Sequence, residues 1–153
     1  MSDSPRDRIP SYLAAMTVFG GAWATFAALA RTTDAPLPDR FSVGDLVAGG
    51  IATHKFTRIV SKDGVTTPLR APFTEFESEA GDAEVNERPR EQHGLHTIGE
   101  LLTCPFCLAP WVASGYVAGL MLAPRAARTW AAVFSVVAGS DFLQQAYARS
   151  RTE

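Results

Sequence analysis

The segregation of charge is what most limits how this 153-residue chain can fold. No charged residue stands between Ile9 and Ala30, and none between Leu101 and Pro124. The first run is 22 residues long. At about 1.5 Å per helical residue, that is enough to cross roughly 30 Å of hydrocarbon. Between Ser61 and Glu100, by contrast, stand nine acids (Asp63, Glu75, Glu77, Glu79, Asp82, Glu84, Glu87, Glu91 and Glu100) against four bases. Charge-free runs flanking a polar stretch read as membrane spans joined by a loop, not as a soluble globule. The net charge of −2 provides no field that would attract nucleic acid.

Two further apolar segments are weaker. Phe41–Val60 has Asp45 near its start and His54, Lys55 and Arg58 in its second half, so it either spans or lies in the interface as an amphipathic helix. Thr129–Ala148 is interrupted only by Asp141. The expected fold class is an all-α membrane protein, a small bundle of about four transmembrane or interfacial helices with a long polar cytoplasmic loop. Residues 1–40 would form an N-terminal tail, first transmembrane helix and short loop. Residues 41–148 would form the membrane domain, including polar loop 61–100, and 149–153 a C-terminal tail. The first segment also reads as a signal sequence, because Arg6 and Arg8 precede it and Ala28-Leu29-Ala30 resembles a cleavage site; both readings stay open.

Lys and Arg counts set an orientation. With four spans, ten bases (Arg6, Arg8, Lys55, Arg58, Lys62, Arg70, Arg88, Arg90, Arg149 and Arg151) share one side. Four (Arg31, Arg40, Arg125 and Arg128) share the other. That asymmetry predicts both termini and the long loop in the cytoplasm.

The chemistry-bearing motif is Cys104-Pro105-Phe106-Cys107, at the mouth of the second charge-free run. Pro105 breaks any helix arriving from its N-terminal side and suits the first position of a new one, with Cys104 as its N-cap. A cap position favours the Cys104 thiolate, and Cys107, one turn on, is expected to be buried against Trp111. In a cytoplasmic setting a structural disulfide is not expected. The pair could act as a thiol-redox couple, although the βαβ context of such sites is absent. It could bind a metal, zinc being the natural choice, with nitrogens from His54, His93 and His96. Or it could be two polarizable side chains packing beside a helix break.

Thr97-Ile98-Gly99-Glu100 matches a capping box. Gly115-Tyr116-Val117-Ala118-Gly119 offers a close-packing face. Pro68–Thr74, with two prolines, is excluded from regular helix, and Glu75–Glu84 reads as a solvated acidic loop. Arg70, Arg88 and Arg90 sit near prolines and form a candidate anion site for phosphate or lipid head groups, while Arg88 and Arg90 could equally answer the neighbouring acids. Asp141, costly within a span, is expected to pair with Lys55, Arg58 or His54.

Several of these stretches together resemble a known family. They are Ala52-Thr53-His54-Lys55 with Arg58, Thr67–Thr74, Glu84–Arg90, Gly99–Cys107 with Trp111, and Ser140-Asp141-Phe142-Leu143. Over roughly Phe41 to Tyr147 the chain resembles the bacterial membrane family catalogued as domain of unknown function 1360. The resemblance implies a small multi-pass protein of the bacterial cell membrane, with no established activity. The expected role is structural or interactive, with the lipid bilayer, other membrane proteins or a second copy as partners and no nucleic acid. The alternatives are thiol-redox or metal binding at Cys104/Cys107, or anionic-lipid binding.

Overall fold

The computed structural model describes residues 8–32, 40–81, 83–92 and 95–151. Arg6, Asp82 and His93 lie outside them. The four apolar segments are all helical: α1 is Ile9–Thr32, α2 Val43–Lys62, α5 Pro105–Leu122 and α6 Pro124–Ser150. Between α2 and α5 come a single 3-10 turn (Gly64–Thr66), the four-residue helix α3 (Thr67–Arg70), strands β1 (Thr74–Gly81) and β2 (Glu84–Pro89), and helix α4 (Leu95–Thr103).

Local chemistry sets the helix ends. Ser42 caps α2 by accepting the Asp45 N–H at 3.0 Å, and Asp45 and Lys62 complement the dipole at opposite ends. Cys104 is the extended residue between α4 and α5 (φ −109°, ψ 103°), with Pro105 in the first turn of α5, as its sequence position predicts. Helix α5 continues through Pro110 without a break.

Cross-links fix the helix directions. Asp45 holds Arg128 through two 2.9 Å bonds, Ser135 Oγ donates to Ala48 O at 3.1 Å, and Lys55 Nζ lies 2.7 Å from Asp141 Oδ2. Partners advance together along both helices, so α2 and α6 run parallel. Helix α5 runs against them: Gly119 faces Ala127 across the short turn at Ala123, and Tyr116 donates to Asp45 O at 2.9 Å. The Tyr116 ring fills the notch at Gly49, where a Cβ would collide with it. Helix α1 runs with α5, because Phe19 meets Trp111 edge-on at 4.9 Å and Trp23 Nε1 donates to Ser114 Oγ at 3.1 Å.

The buried cluster is small: Ala52, Tyr116, Leu120, Ala127 and Ala131. Among the described residues, Leu120 is the one Leu, Ile, Val or Phe in the buried class. Val136, Phe142, Leu143, Met16 and Val18 point outward. The fully enclosed larger side chains are instead Arg70, Thr57 and Ser61.

The segment 61–100 departs most from expectation. It is no loop, and the chain is mostly helical rather than all-α. Thr67–Arg70 forms a helical turn because Pro68 falls in its first turn, where no N–H is needed. The acidic stretch forms an antiparallel hairpin, β1 on β2, running from Thr74↔Pro89 to Gly81↔Glu84 with two register shifts. Helix α4 begins at Leu95, so Thr97 lies inside its first turn and does not cap it; the first amides reach Gln92 O at 3.2 Å. The hairpin lies so close on α4 that a Cβ at Gly99 would stand 2.6 Å from Phe73 O.

Candidate functional site

Arg70 locks this polar cap. Its side chain is 0% exposed, and Nε and Nη2 grip Glu87 at 2.8 and 3.2 Å. Nη1 donates to Val60 O and Thr66 Oγ1, both at 2.6 Å, and Nη2 reaches Asp63 O at 3.1 Å and Thr67 Oγ1 at 3.3 Å. Thr74 Oγ1 donates to Glu87 Oε2 at 2.8 Å. The guanidinium thus answers the last carbonyls of α2 and one buried carboxylate together. Burial pushes the Glu87 carboxyl up, but the Arg70 and Thr74 hydrogen bonds and the Arg70 charge outweigh it and hold the group below the usual carboxylate range.

That geometry takes Arg70 out of the expected anion site and gives Arg88 and Arg90 the neighbouring acid Glu75 as partner, the alternative left open above. Arg70 has its donors engaged inside the fold, Arg88 pairs with Glu75 at 3.0 Å, and Arg90 bonds Ala71 O at 3.2 Å with Glu75 at 3.5 Å. The three do not share a pocket. Arg58, expected near Asp141, instead grips Glu84 at 2.6 and 2.7 Å, leaving Asp141 to Lys55.

A hollow of about 1000 Å³ lies between α1 and the α4–α5 junction. Its walls are mostly apolar, with Ala15, Val18, Leu101 and Trp111 among them. One end is polar. Glu100 accepts from Arg8 at 2.8 Å and from Tyr12 at 3.0 Å. His96 Nδ1 lies 3.1 Å from Arg90 O, a carbonyl that can only accept, so Nδ1 carries a proton. His96 Nε2 is buried and has no hydrogen-bond partner, although Glu100 Oε1 is 3.2 Å away. Both cysteines line this hollow.

The structure joins Cys104 and Cys107 as a disulfide across the first turn of α5, with Cα atoms 5.2 Å apart. The Cys107 N–H lies 3.2 Å from Cys104 Sγ, the arrangement a thiolate there would use. Cys107 is the more exposed of the two, the reverse of the order expected.

Of the other candidate ligands, His96 shares the hollow with the sulfurs, while His54 is exposed on α2 away from it. Among the described residues, no three of His, Cys, Asp and Glu converge as a metal site. The sequence reading missed Arg8, Tyr12 and Glu100 as one cluster. Glu100 carried a signal, but it was assigned to a local cap, and only tertiary packing brings α1 to it.

These features define a class: a mostly helical chain with two helices, α1 and α5, long and apolar enough to cross a membrane, a polar cap, and a paired C-x-x-C at a cleft. The chain belongs to the family described as protein of unknown function (DUF1360), whose profile matches residues 49–147. The wall contributed by α1 lies outside that match. No curated protein and no solved structure matches the chain.

Proposed function

We propose that this is a multi-pass protein of the bacterial cell membrane in which Cys104 and Cys107 form a thiol–disulfide exchange site at the membrane surface. The inverted burial supports the membrane placement, since apolar side chains face outward while Arg70, Glu87 and Thr74 are enclosed. The helix directions support four spans: α1 and α5 run one way, α2 and α6 the other. The ten-to-four asymmetry of Lys and Arg favours a cytoplasmic cap, with the bilayer as first partner.

The observation that carries the exchange reading is the disulfide itself, placed at the head of α5 and opening on the cleft. A bridge between residues three apart closes so short a loop that it constrains the unfolded chain little, which makes it a poor structural brace. On the cytoplasmic side, disulfides that do form are typically transient and catalytic or redox-sensing. The geometry assigns roles. An incoming substrate thiolate attacks the exposed Cys107 Sγ, a new S–S bond forms, and Cys104 leaves as a thiolate stabilised by the Cys107 N–H and the helix N-terminus. Cys104 then attacks Cys107 Sγ to release the substrate, or a second substrate thiolate attacks the substrate's own sulfur in the mixed disulfide, which departs as an oxidised substrate disulfide while Cys107 leaves as a thiolate and the protein is left as the dithiol.

The sequence put a structural or interaction role first; the paired sulfurs move thiol chemistry ahead of it. The test is a redox titration of the protein in membranes, in glutathione buffers around the cytosolic poise of about −220 to −260 mV, with alkylation as the readout. Reversible half-oxidation within reach of that range is expected. A bridge that stays closed throughout, or never forms, overturns the reading.

A further inference from the structure

A bridge that opens at one thiol partner needs a second partner to close again, and the cleft has the shape and chemistry for one. We infer that the hollow between α1, α4 and α5 binds a membrane quinone that reoxidises the Cys104/Cys107 dithiol; this rests on the exchange reading above.

Four observations converge. The hollow lies between α1 and α5, the two helices of membrane length, so a ligand dissolved in the bilayer reaches it sideways. Its mostly apolar walls end at the Arg8–Tyr12–Glu100–His96 cluster, which suits a ring with polar oxygens on an apolar body. A second hollow of about 190 Å³ continues along the α1–α5 seam, with Trp111 and Phe19 in its walls, and Trp111 lines both spaces. Head-sized space followed by a narrow apolar track fits a ring bearing a prenyl chain. The two sulfurs line the same hollow.

The step balances. Two S–H bonds break, one S–S bond forms between Cys104 and Cys107, and two electrons pass to the quinone ring. The two protons pass to its two oxygens, giving the quinol. Tyr12, His96 and Glu100 line the same hollow as the two thiols, and these polar groups are the route by which the protons reach the ring oxygens.

The experiment uses the full chain in lipid nanodiscs. The protein is reduced, freed of reductant and mixed with decyl-ubiquinone, whose fully substituted ring resists thiol addition. Quinone absorbance and cysteine alkylation are followed together. One quinone consumed per cysteine pair is expected, with loss of the reaction in Cys107→Ser. Ala15→Trp and Leu101→Trp fill the head space from opposite walls and should slow quinone reduction roughly a hundredfold by displacing the ring. Glutathione equilibration of the pair is measured in the same samples. A pair that equilibrates with glutathione while the quinone stays oxidised, or is reduced as fast in both filled variants, overturns the quinone site and leaves the exchange reading standing. A pair that does not equilibrate with glutathione overturns both.

Discussion

The helical stem and the polar cap bury opposite things. In the stem, α2, α5 and α6 touch around Gly49, Ala52, Tyr116, Leu120, Ala127 and Ala131, and they and α1 turn many large apolar side chains outward. In the cap, a guanidinium, a carboxylate and several hydroxyls are enclosed and bonded to one another. In the proposed membrane placement the stem packs by close approach of small residues, and the cap packs as a small domain held by polar contacts.

The largest effect should come from breaking the cap's ion pair. Arg70→Met leaves the Glu87 carboxylate buried and unpaired, and should cost about 3–5 kcal/mol, read by thermal unfolding in detergent. The double change with Glu87→Leu should recover much of that. The same carboxylate gives a pH dependence. Its folded value is depressed, so its stabilisation is present above the ordinary carboxyl range and is lost as pH falls through the folded value. Wild type should therefore weaken on acidification below about pH 5, and Glu87→Gln should show a flatter acid limb. Equal acid sensitivity in both would mean that Glu87 is not the titrating group.

The second effect tests the stem. Val136 is near the middle of α6 and 72% exposed. Val136→Lys would cost almost nothing on a helix facing water, whereas in the bilayer centre it should cost roughly 2.5–3.5 kcal/mol of insertion, seen as lost membrane-integrated protein. Glu79→Lys, on the exposed face of the hairpin, should stay within about 0.5 kcal/mol of wild type. If both lysines are tolerated alike, the two regions share one solvent and the membrane reading fails.

The stem was legible in the sequence because its signal is local. Charge-free runs mark the helices to within a few residues, and Cys104-Pro105 marks the break between α4 and α5 through ordinary capping chemistry. The cap was not legible, because its determinants act at a distance. Arg70 looked like a fork for an external anion, and nothing nearby in sequence shows that Glu87, 17 residues on, is that anion. The acidic run Glu75–Glu79 hid a strand, because its outward-facing side chains gave no buried alternation to detect. Glu100 had a plausible local partner in Thr97, and only the docking of α1 redirects it to Arg8 and Tyr12. The cysteines were found from sequence; the cleft that gives them a setting was not.

A third prediction probes how tightly the cap closes on α4. A methyl at Gly99 must displace backbone, because Phe73 O would lie 2.6 Å from it and the Pro89 Cα 3.1 Å. Gly99→Ala should cost about 1–3 kcal/mol and raise amide exchange at the Arg90–Phe73 bond. Unchanged stability would mean that the hairpin rides loosely on α4.

The smallest effect has the opposite sign and is confined to the hairpin tip. Ala83 adopts φ 65°, the left-handed region where its Cβ crowds the following carbonyl. The fold holds it there because Ala83 O accepts the Gly64 N–H at 2.8 Å, tying the tip of the hairpin to the turn that leaves α2. Glycine adopts this φ without the crowding, at some cost in unfolded-chain entropy, so Ala83→Gly should stabilise the cap by up to about 1 kcal/mol. The gain should appear as slower amide exchange in β1 and β2, while insertion of the stem helices is unaffected. A loss of stability would show that the tip can leave the left-handed region, and that the Gly64–Ala83 bond is not what fixes the hairpin against α2.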